Sequence, residues 1–329
     1  MKLGSALAFI AGLVLLGVVV ADSDLNELAR VFERIDWHGA TLVMLAFTLA
    51  WGAEILAWAL TFTARPLTLG WCGALWLVNM VGEALNVVMP FGSLGGEPVK
   101  GWLLKRHYAI PYREAAATLV LMQTLLGLAE ALFAAVGAAT AYALGILPPA
   151  LAHLLFSAAA VLAAAMVLVI IGLHRRWLRA LLATIERRLR SATAERIRMA
   201  LLEVEHSLVA FARCEPRRCA YSTLLFLLNW IGGAVEVWLI MRMLGAPLTL
   251  AQCWVAEAAV VMIRSLTFFV PGQLGSVEAV TVLVIGAIVG PGELGFALCL
   301  LRRLRELAWS AVGLAVGLWY NLRRAPATD

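Results

Sequence analysis

Two apolar stretches of the 329-residue chain are each broken by a turn rich in proline and glycine. Residues 89–97 read Met-Pro-Phe-Gly-Ser-Leu-Gly-Gly-Glu, and residues 270–278 read Val-Pro-Gly-Gln-Leu-Gly-Ser-Val-Glu. Because proline lacks a backbone donor and glycine weakens a helix, both segments should unwind there. Unwound backbone at membrane depth is tolerated only inside protein or beside a wet cavity. A matching pair of such breaks is a sequence pattern that points to a transporter site.

The composition predicts a polytopic membrane protein, because 63% of the residues are hydrophobic and only 14% are charged. A soluble domain carries roughly a quarter of charged residues. The net charge of +5 does not indicate nucleic-acid binding, since most arginines lie in one stretch between apolar runs. The cysteines and histidines lack the spacing of a metal site, and no cofactor is predicted. No catalytic triad pattern, nucleotide loop or soluble domain indicates an enzyme.

The distribution of arginines predicts the topology. Residues 174–218 hold eleven arginines and five glutamates, which places this stretch in the cytoplasm, where an amphipathic helix over 174–213 should lie along the membrane surface. The fold class that follows is all-α, with six full spans, two opposed re-entrant hairpins, and both termini in the cytoplasm. The predicted spans are 3–21, 40–62, 114–145, 150–173, 219–243 and 293–321. Residues 1–21 could also be a cleaved secretory signal, although a retained first span is preferred.

The two breaks belong to a predicted inverted repeat within a single membrane domain. Glu54 lies 43 residues before Glu97, and Glu236 lies 42 residues before Glu278. Glu130 and Glu306 are each followed at the same offset by Ala-Val-Gly. The first span and outer loop therefore occupy 1–39, the first repeat half 40–145, the connecting span and surface helix 150–218, and the second half 219–321. Halves of opposite orientation are the arrangement from which alternating access can be built.

Ionisable side chains within membrane spans are costly and are therefore functional candidates. Two interpretations remain open for Glu97 and Glu278, since each carboxylate could contact a ligand or only cap the helix that follows its break. Arg302 and Glu306 are spaced to pair with each other, and Arg264 is a candidate phosphate partner. Lys100, Lys105 and Arg106 suit interfacial charges of a cytoplasmic loop. The candidate binding residues are Glu97, Glu130, Arg264, Glu278, Arg302, Arg303 and Glu306, and the predicted turn residues are Pro90, Gly92, Gly95, Gly96, Pro271, Gly272 and Gly275.

At these motifs the chain resembles the flippase-like membrane family typified by the transmembrane domain of lysylphosphatidylglycerol synthases. The resemblance rests on the turn from Pro90 to Glu97, on the Pro-Gly-x-Leu-Gly-x-x-Glu signature from Pro271 to Glu278, and on the run Arg-Arg-Leu-Arg-Glu over 302–306. The hopanoid-associated branch is the most similar. Gly92 and Ser93 stand where many relatives carry an arginine, which puts phosphate binding at that turn in doubt. No aminoacyltransferase segment follows within these residues, so lysyl transfer is not expected.

The resemblance implies movement of a lipid or lipid-linked headgroup between the leaflets of the bacterial inner membrane. A membrane lipid is the expected partner, and enzymes of lipid biosynthesis are possible partners. One alternative is a non-transporting membrane protein that positions a lipid-modifying enzyme through the surface helix. Another is proton-coupled transport through Glu130 or Glu306.

Overall fold

The computed structural model describes residues 37–88, 95–175, 192–268, 270, 273, 275–290 and 292–322. Within these ranges the chain forms ten α-helices and no strand. In chain order they are α1 (Trp37–Thr61), α2 (Leu69–Val88), α3 (Glu97–Tyr108), α4 (Tyr112–Ala143), α5 (Pro149–Arg175), α6 (Ala192–Cys214), α7 (Pro216–Met243), α8 (Leu250–Leu266), α9 (Ser276–Val289) and α10 (Gly292–Leu322).

Four of these helices are long and apolar enough to cross a membrane. They are α1, α4, α7 and residues Pro149–Gly172 of α5, and they coincide with four of the predicted spans. The all-helical, polytopic character of the chain is thereby confirmed. The predicted span 293–321 is a single helix, α10, whose three arginines and one glutamate over 302–306 make it too polar to resemble these four.

Several predicted features lie outside the described residues. They are the span 3–21, most of the outer loop, the turn residues Pro90, Gly92, Pro271 and Gly272, and the arginine-rich residues 176–191. The described part of the predicted surface helix is α6. It buries Leu208 and Phe211 in a hydrophobic core shared with α1, α4 and α7. This part of the helix is therefore packed into the helical body and does not only lie along a surface.

Both breaks interrupt the helices where the sequence predicted. After the first break the chain returns along α2, so that the backbone N–H of Gly96 donates to Asn86 Oδ1 at 2.6 Å. Gly96 also lies directly against the backbone of Gly82, and a side chain at Gly96 would collide with it. At the second break Thr267 Oγ1 and Ser276 Oγ are 3.1 Å apart, which joins the end of α8 to the start of α9.

The first spans of the two halves, α1 and α7, pack against each other as antiparallel neighbours. Three contacts define their direction, because Ser222 Oγ donates to the carbonyl of Ala57, Asn229 Nδ2 donates to Glu54 Oε2, and Gly232 lies against Ala50. Ala50 and Gly232 are separated by the same 182 positions as Glu54 and Glu236. Counterparts in the proposed repeat therefore touch each other at the centre of this interface.

Two further helix pairs repeat the same contact between the halves. A side chain at Gly137 of α4 would collide with Ala258 of α8, and one at Gly313 of α10 would collide with Ala84 of α2. Gly137 and Gly313 are the glycines of the two matching Ala-Val-Gly motifs, while Ala84 and Ala258 each follow a glutamate. The α4 helix thus packs closely on α8, and α10 packs closely on α2.

We expect Gly232→Ala to destabilise the protein, because the added methyl group meets Ala50 at the α1–α7 interface. Overpacking of this kind costs about 1–3 kcal/mol. The matched control is Gly73→Ala within α2, where the added methyl group meets no atom within 4 Å. Thermal unfolding in detergent, followed by circular dichroism, compares the two variants. A melting temperature of Gly232→Ala at or above that of Gly73→Ala would contradict the close approach.

Candidate functional site

Lys100 is the centre of a polar cluster in the first half. Its ammonium group donates to Glu83 Oε1 of α2 and to Glu97 Oε1 of α3, both at 2.7 Å. The Lys100 side chain is fully buried, whereas Glu83 is 43% exposed. Its (CH₂)₄ stem crosses the face of Gly82, where any side chain would occupy the same space. The expectation that Lys100 is an interfacial loop charge is therefore wrong.

Glu97 contacts side chains and does not cap the backbone of its own helix. The N–H of Gly96, which a cap would bind, is taken by Asn86, while Glu97 Oε1 accepts from Lys100 and from Gln123 Nε2 at 3.3 Å. The second oxygen, Oε2, is buried and has no hydrogen-bond partner among the described residues. Glu97 therefore makes no capping hydrogen bond, although it places a negative charge in the first turn of α3, and its role in binding stays a prediction.

Glu54 joins this cluster through neutral donors. Asn79 Nδ2 of α2 donates to its Oε1 at 3.1 Å, and Asn229 Nδ2 of α7 donates to its Oε2 at 3.2 Å. The carboxylate therefore connects three helices that come from both halves of the chain. Glu83 and Glu97 bind the single ammonium group of Lys100, and Glu54 adds a third carboxylate without contacting it, so the cluster has an excess of acid.

Arg302 is the centre of the second cluster and is nearly buried. Its guanidinium binds Glu257 of α8 with two hydrogen bonds, of 2.7 and 2.9 Å, and reaches Glu236 Oε2 of α7 at 3.4 Å. Two parallel bonds of this kind fix the orientation of the guanidinium plane. The spacing of Arg302 and Glu306 suggested a pair between them, but Arg302 binds two other helices instead.

The remaining charges of the second cluster form a chain of ion pairs. Arg303 Nε donates to Glu278 Oε1 at 2.6 Å, and its Nη1 donates to Glu306 Oε2 at 2.7 Å. Arg264 of α8 donates to Glu306 Oε1 at 3.1 Å. Arg305 lies 2.9 Å from Glu236 Oε1 and stacks over the ring of Phe47, 3.7 Å from its centroid. In total four arginines face four glutamates.

Glu278 combines the two roles that the sequence left open. Its Oε2 accepts the backbone N–H of Gly275 at 2.7 Å, which closes the first turn of α9. Its Oε1 accepts from Arg303 of α10. The carboxylate is therefore a helix cap and a member of the charge network at once. Gly275 makes this possible because its φ of 80° lies in the left-handed region.

The structure brings most of the predicted site residues together. Arg264, Glu278, Arg303 and Glu306 form one connected network next to Arg302, while Glu97 belongs to the first-half cluster. Glu130 accepts a short hydrogen bond from the Ser265 hydroxyl of α8. Four residues that contact the predicted site residues or each other were not themselves among the predicted site residues, namely Glu83, Lys100, Glu236 and Glu257. For Lys100 the signal was its position three residues after Glu97, which places both on one helix face.

Several guanidinium nitrogens in the second cluster have no hydrogen-bond partner among the described residues. Five such nitrogens are buried: Arg264 Nε, Arg302 Nε, Arg303 Nη2, Arg305 Nε and Arg305 Nη1. The Arg264 side chain is 32% exposed. A buried donor without a partner is costly, so these nitrogens are available for an anionic group. No described residue supplies that anion through a hydrogen bond, since the nearby carboxylates already bind other atoms of the arginines.

We expect Arg302→Gln to be strongly destabilising, because it leaves Glu257 and Glu236 buried with less compensation. Removing one partner of a buried ion pair costs about 3–5 kcal/mol. The double variant Arg302→Gln with Glu257→Gln should recover part of this loss, since two neutral amides can bind each other. The measurement is the fraction of folded monodisperse protein in detergent after heating. A double variant that is less stable than the single variant would show that the pair is not the cause.

Comparison with known proteins gives one match. The family model described as "Lysylphosphatidylglycerol synthase TM region" matches residues 3–314, which is nearly the whole chain. No curated protein and no solved structure matches the chain.

Proposed function

The chain belongs to the family of the lysylphosphatidylglycerol synthase transmembrane region, and from this premise we propose that it moves a lipid between the leaflets of a bacterial inner membrane. The cargo is a lipid or lipid-linked headgroup, and the mechanism is alternating access. We propose transport and no enzymatic step. The resemblance to the hopanoid-associated branch makes a hopanoid-type lipid the first cargo to test.

The observation that carries this proposal is the repeated packing of counterparts across the two halves. Antiparallel α1 and α7 meet at Ala50 and Gly232, and each Ala-Val-Gly glycine packs on the hairpin helix of the other half. This arrangement supports an inverted repeat, with six spans and with α2–α3 and α8–α9 as re-entrant hairpins from opposite faces. Halves related in this way can exchange conformations, which would open the site to each leaflet in turn.

The two charge clusters support a lipid with a charged headgroup as the cargo. Four arginines, with five buried nitrogen donors that have no hydrogen-bond partner among the described residues, suit an anionic group such as a phosphate. The first cluster, with its excess of carboxylates, suits a cationic or hydroxyl-bearing group. The α1, α4 and α7 helices beside these clusters are apolar spans, so a lipid tail could stay among them while its headgroup contacts these side chains.

The experiment that tests the proposal uses the purified protein in liposomes with a fluorescently labelled lipid. Label in the outer leaflet is quenched by a membrane-impermeant reductant, so movement between leaflets is read as additional quenching. Wild-type protein should transfer label in proportion to the amount reconstituted. Folded wild-type protein that transfers neither a labelled phospholipid nor a labelled hopanoid would overturn the proposal.

Glu278→Gln separates a binding role of this residue from a purely capping one. Glutamine at this position can still accept the N–H of Gly275, because Glu and Gln serve equally in a capping box, but it lacks the charge that binds Arg303. We expect transport to fall about tenfold or more, which corresponds to about 1.4 kcal/mol. Glu215→Gln, at the start of α7, is the matched control and should transport normally. Wild-type rates for Glu278→Gln would leave Glu278 as a cap alone.

The alternative function, a partner that positions a lipid-modifying enzyme, is favoured by a cavity of about 620 Å³ at one end of the bundle. It lies among the end of α1, the start of α4 and the end of α6, away from both charge clusters. Because α6 buries Leu208 and Phe211, deleting it would damage the core. Charge reversal at Arg113, an exposed residue that lines this cavity, tests the alternative better. It should abolish cellular function but spare liposome transport if a partner binds there.

A further inference from the structure

The four glutamates that the repeat places on the long spans differ in their partners between the halves. In the second half, Glu236 contacts Arg302 and Arg305, and Glu306 contacts Arg264 and Arg303. Their first-half counterparts, Glu54 and Glu130, have no basic side chain within ion-pair distance among the described residues. They accept hydrogen bonds from the neutral groups of Asn79, Asn229 and Ser265 instead. The repeat is thus symmetric in packing but not in charge.

Glu54 has the more unusual surroundings of the two first-half glutamates. The charged groups that face it are Glu83 on α2 and Glu97 and Lys100 on α3. Lys100 is already bound by both of those carboxylates at 2.7 Å. The α7 helix presents the neutral amide of Asn229, whose Nδ2 donates to Glu54 Oε2. Adding a proton to Glu54 would remove one of three negative charges without breaking an ion pair.

Asn79 provides a second, independent observation at this carboxylate. Its side chain is completely buried, and its Oδ1 has no hydrogen-bond donor among the described residues, although its Nδ2 donates to Glu54. A buried acceptor without a partner is costly. Rotation of the Asn79 amide would let Oδ1 accept from the carboxyl O–H of a protonated Glu54, in place of the bond that Nδ2 donates to the ionised carboxylate. The site therefore has hydrogen-bond partners ready for both protonation states.

Glu130 is a weaker candidate for the same role. Ser265, a neutral donor on α8 next to Arg264 in the sequence, contacts one of its carboxylate oxygens, whereas Glu54 accepts from the amides of two different helices. Glu306, the other residue that the sequence suggested for proton coupling, is bound by two arginines. A carboxylate held by two cations resists protonation. Among Glu54, Glu130 and Glu306, only Glu54 combines neutral hydrogen-bond donors and neighbouring carboxylates with a buried acceptor, Asn79 Oδ1, that has no partner among the described residues.

We propose that Glu54 reversibly binds a proton and that this protonation couples lipid movement to the proton gradient. The proton site stands by itself, whereas the coupling rests on the proposed function. The ionised carboxylate accepts from Asn79 of its own half and from Asn229 of the other. Hydrogen bonds to a charged acceptor are roughly twice as strong as those to a neutral one. Protonation therefore weakens the link between α1 and α7, where the two halves meet, and makes their relative movement easier.

The proton site itself is tested without any transport assay. Infrared spectra of the protein in lipid, recorded across a pH titration, report the C=O stretch of protonated carboxyl groups. We expect wild-type protein to gain a band from a buried carboxyl group as the pH falls, and Glu54→Gln to lack it. Glu215→Gln should keep the band. A band of unchanged intensity in Glu54→Gln would overturn the assignment.

The coupling is tested in liposomes with and without an imposed pH gradient. We expect the gradient to accelerate lipid movement by the wild type, the two rates to become equal in Glu54→Gln, and acceleration to return in Glu54→Asp, which keeps a titratable group. Acceleration that persists in Glu54→Gln, or a wild type that moves lipid but ignores the gradient, would overturn the coupling. A folded wild type that moves no lipid at all would instead overturn the proposed function, and the infrared titration would still decide the proton site.

Discussion

The requirement that charges inside a hydrophobic bundle be compensated is the constraint on which this structure depends. Each ionised group removed from water loses several kcal/mol of solvation, and only close, well-oriented partners return it. Arg302 meets this requirement by binding Glu257 and Glu236, which come from α8 and α7. Lys100 does so by binding Glu83 and Glu97. Because such partners lie on different helices, compensation of charge also fixes how the helices are arranged.

Close backbone approach is the second determinant, and it acts between the halves. Without a hydrophobic force between helices in lipid, small residues allow the contact that holds spans together. Gly232 against Ala50, Gly137 against Ala258 and Gly313 against Ala84 are three such contacts, and each joins the first half to the second. At these positions the helices approach so closely that an added methyl group would collide with the neighbouring helix.

The sequence predicted the helices and the breaks better than it predicted the partners. Apolar length located four spans, and proline with glycine located both interruptions, because each of these features is local. The partners of Arg302 could not be deduced, since Glu236 and Glu257 lie 66 and 45 residues away and meet it only after folding. Lys100 was misjudged for a related reason. The positive-inside rule concerns residues that remain at the membrane surface, whereas Lys100 is withdrawn by two carboxylates and by the space left at Gly82.

The two halves have similar helix contacts but differ in how their glutamates are paired, which suggests that they have different roles. In the second half, Glu236 and Glu306 are each paired with two arginines, and separating such buried pairs costs free energy. The second half is therefore suited to bind a ligand in a fixed geometry. Glu54 is held by two amides, and each amide can serve as donor or acceptor. A carboxyl group that keeps its hydrogen-bond partners when it gains or loses a proton can titrate without local unfolding. Since Asn229 carries one of those bonds into the other half, a change at Glu54 is transmitted to the α1–α7 interface at once.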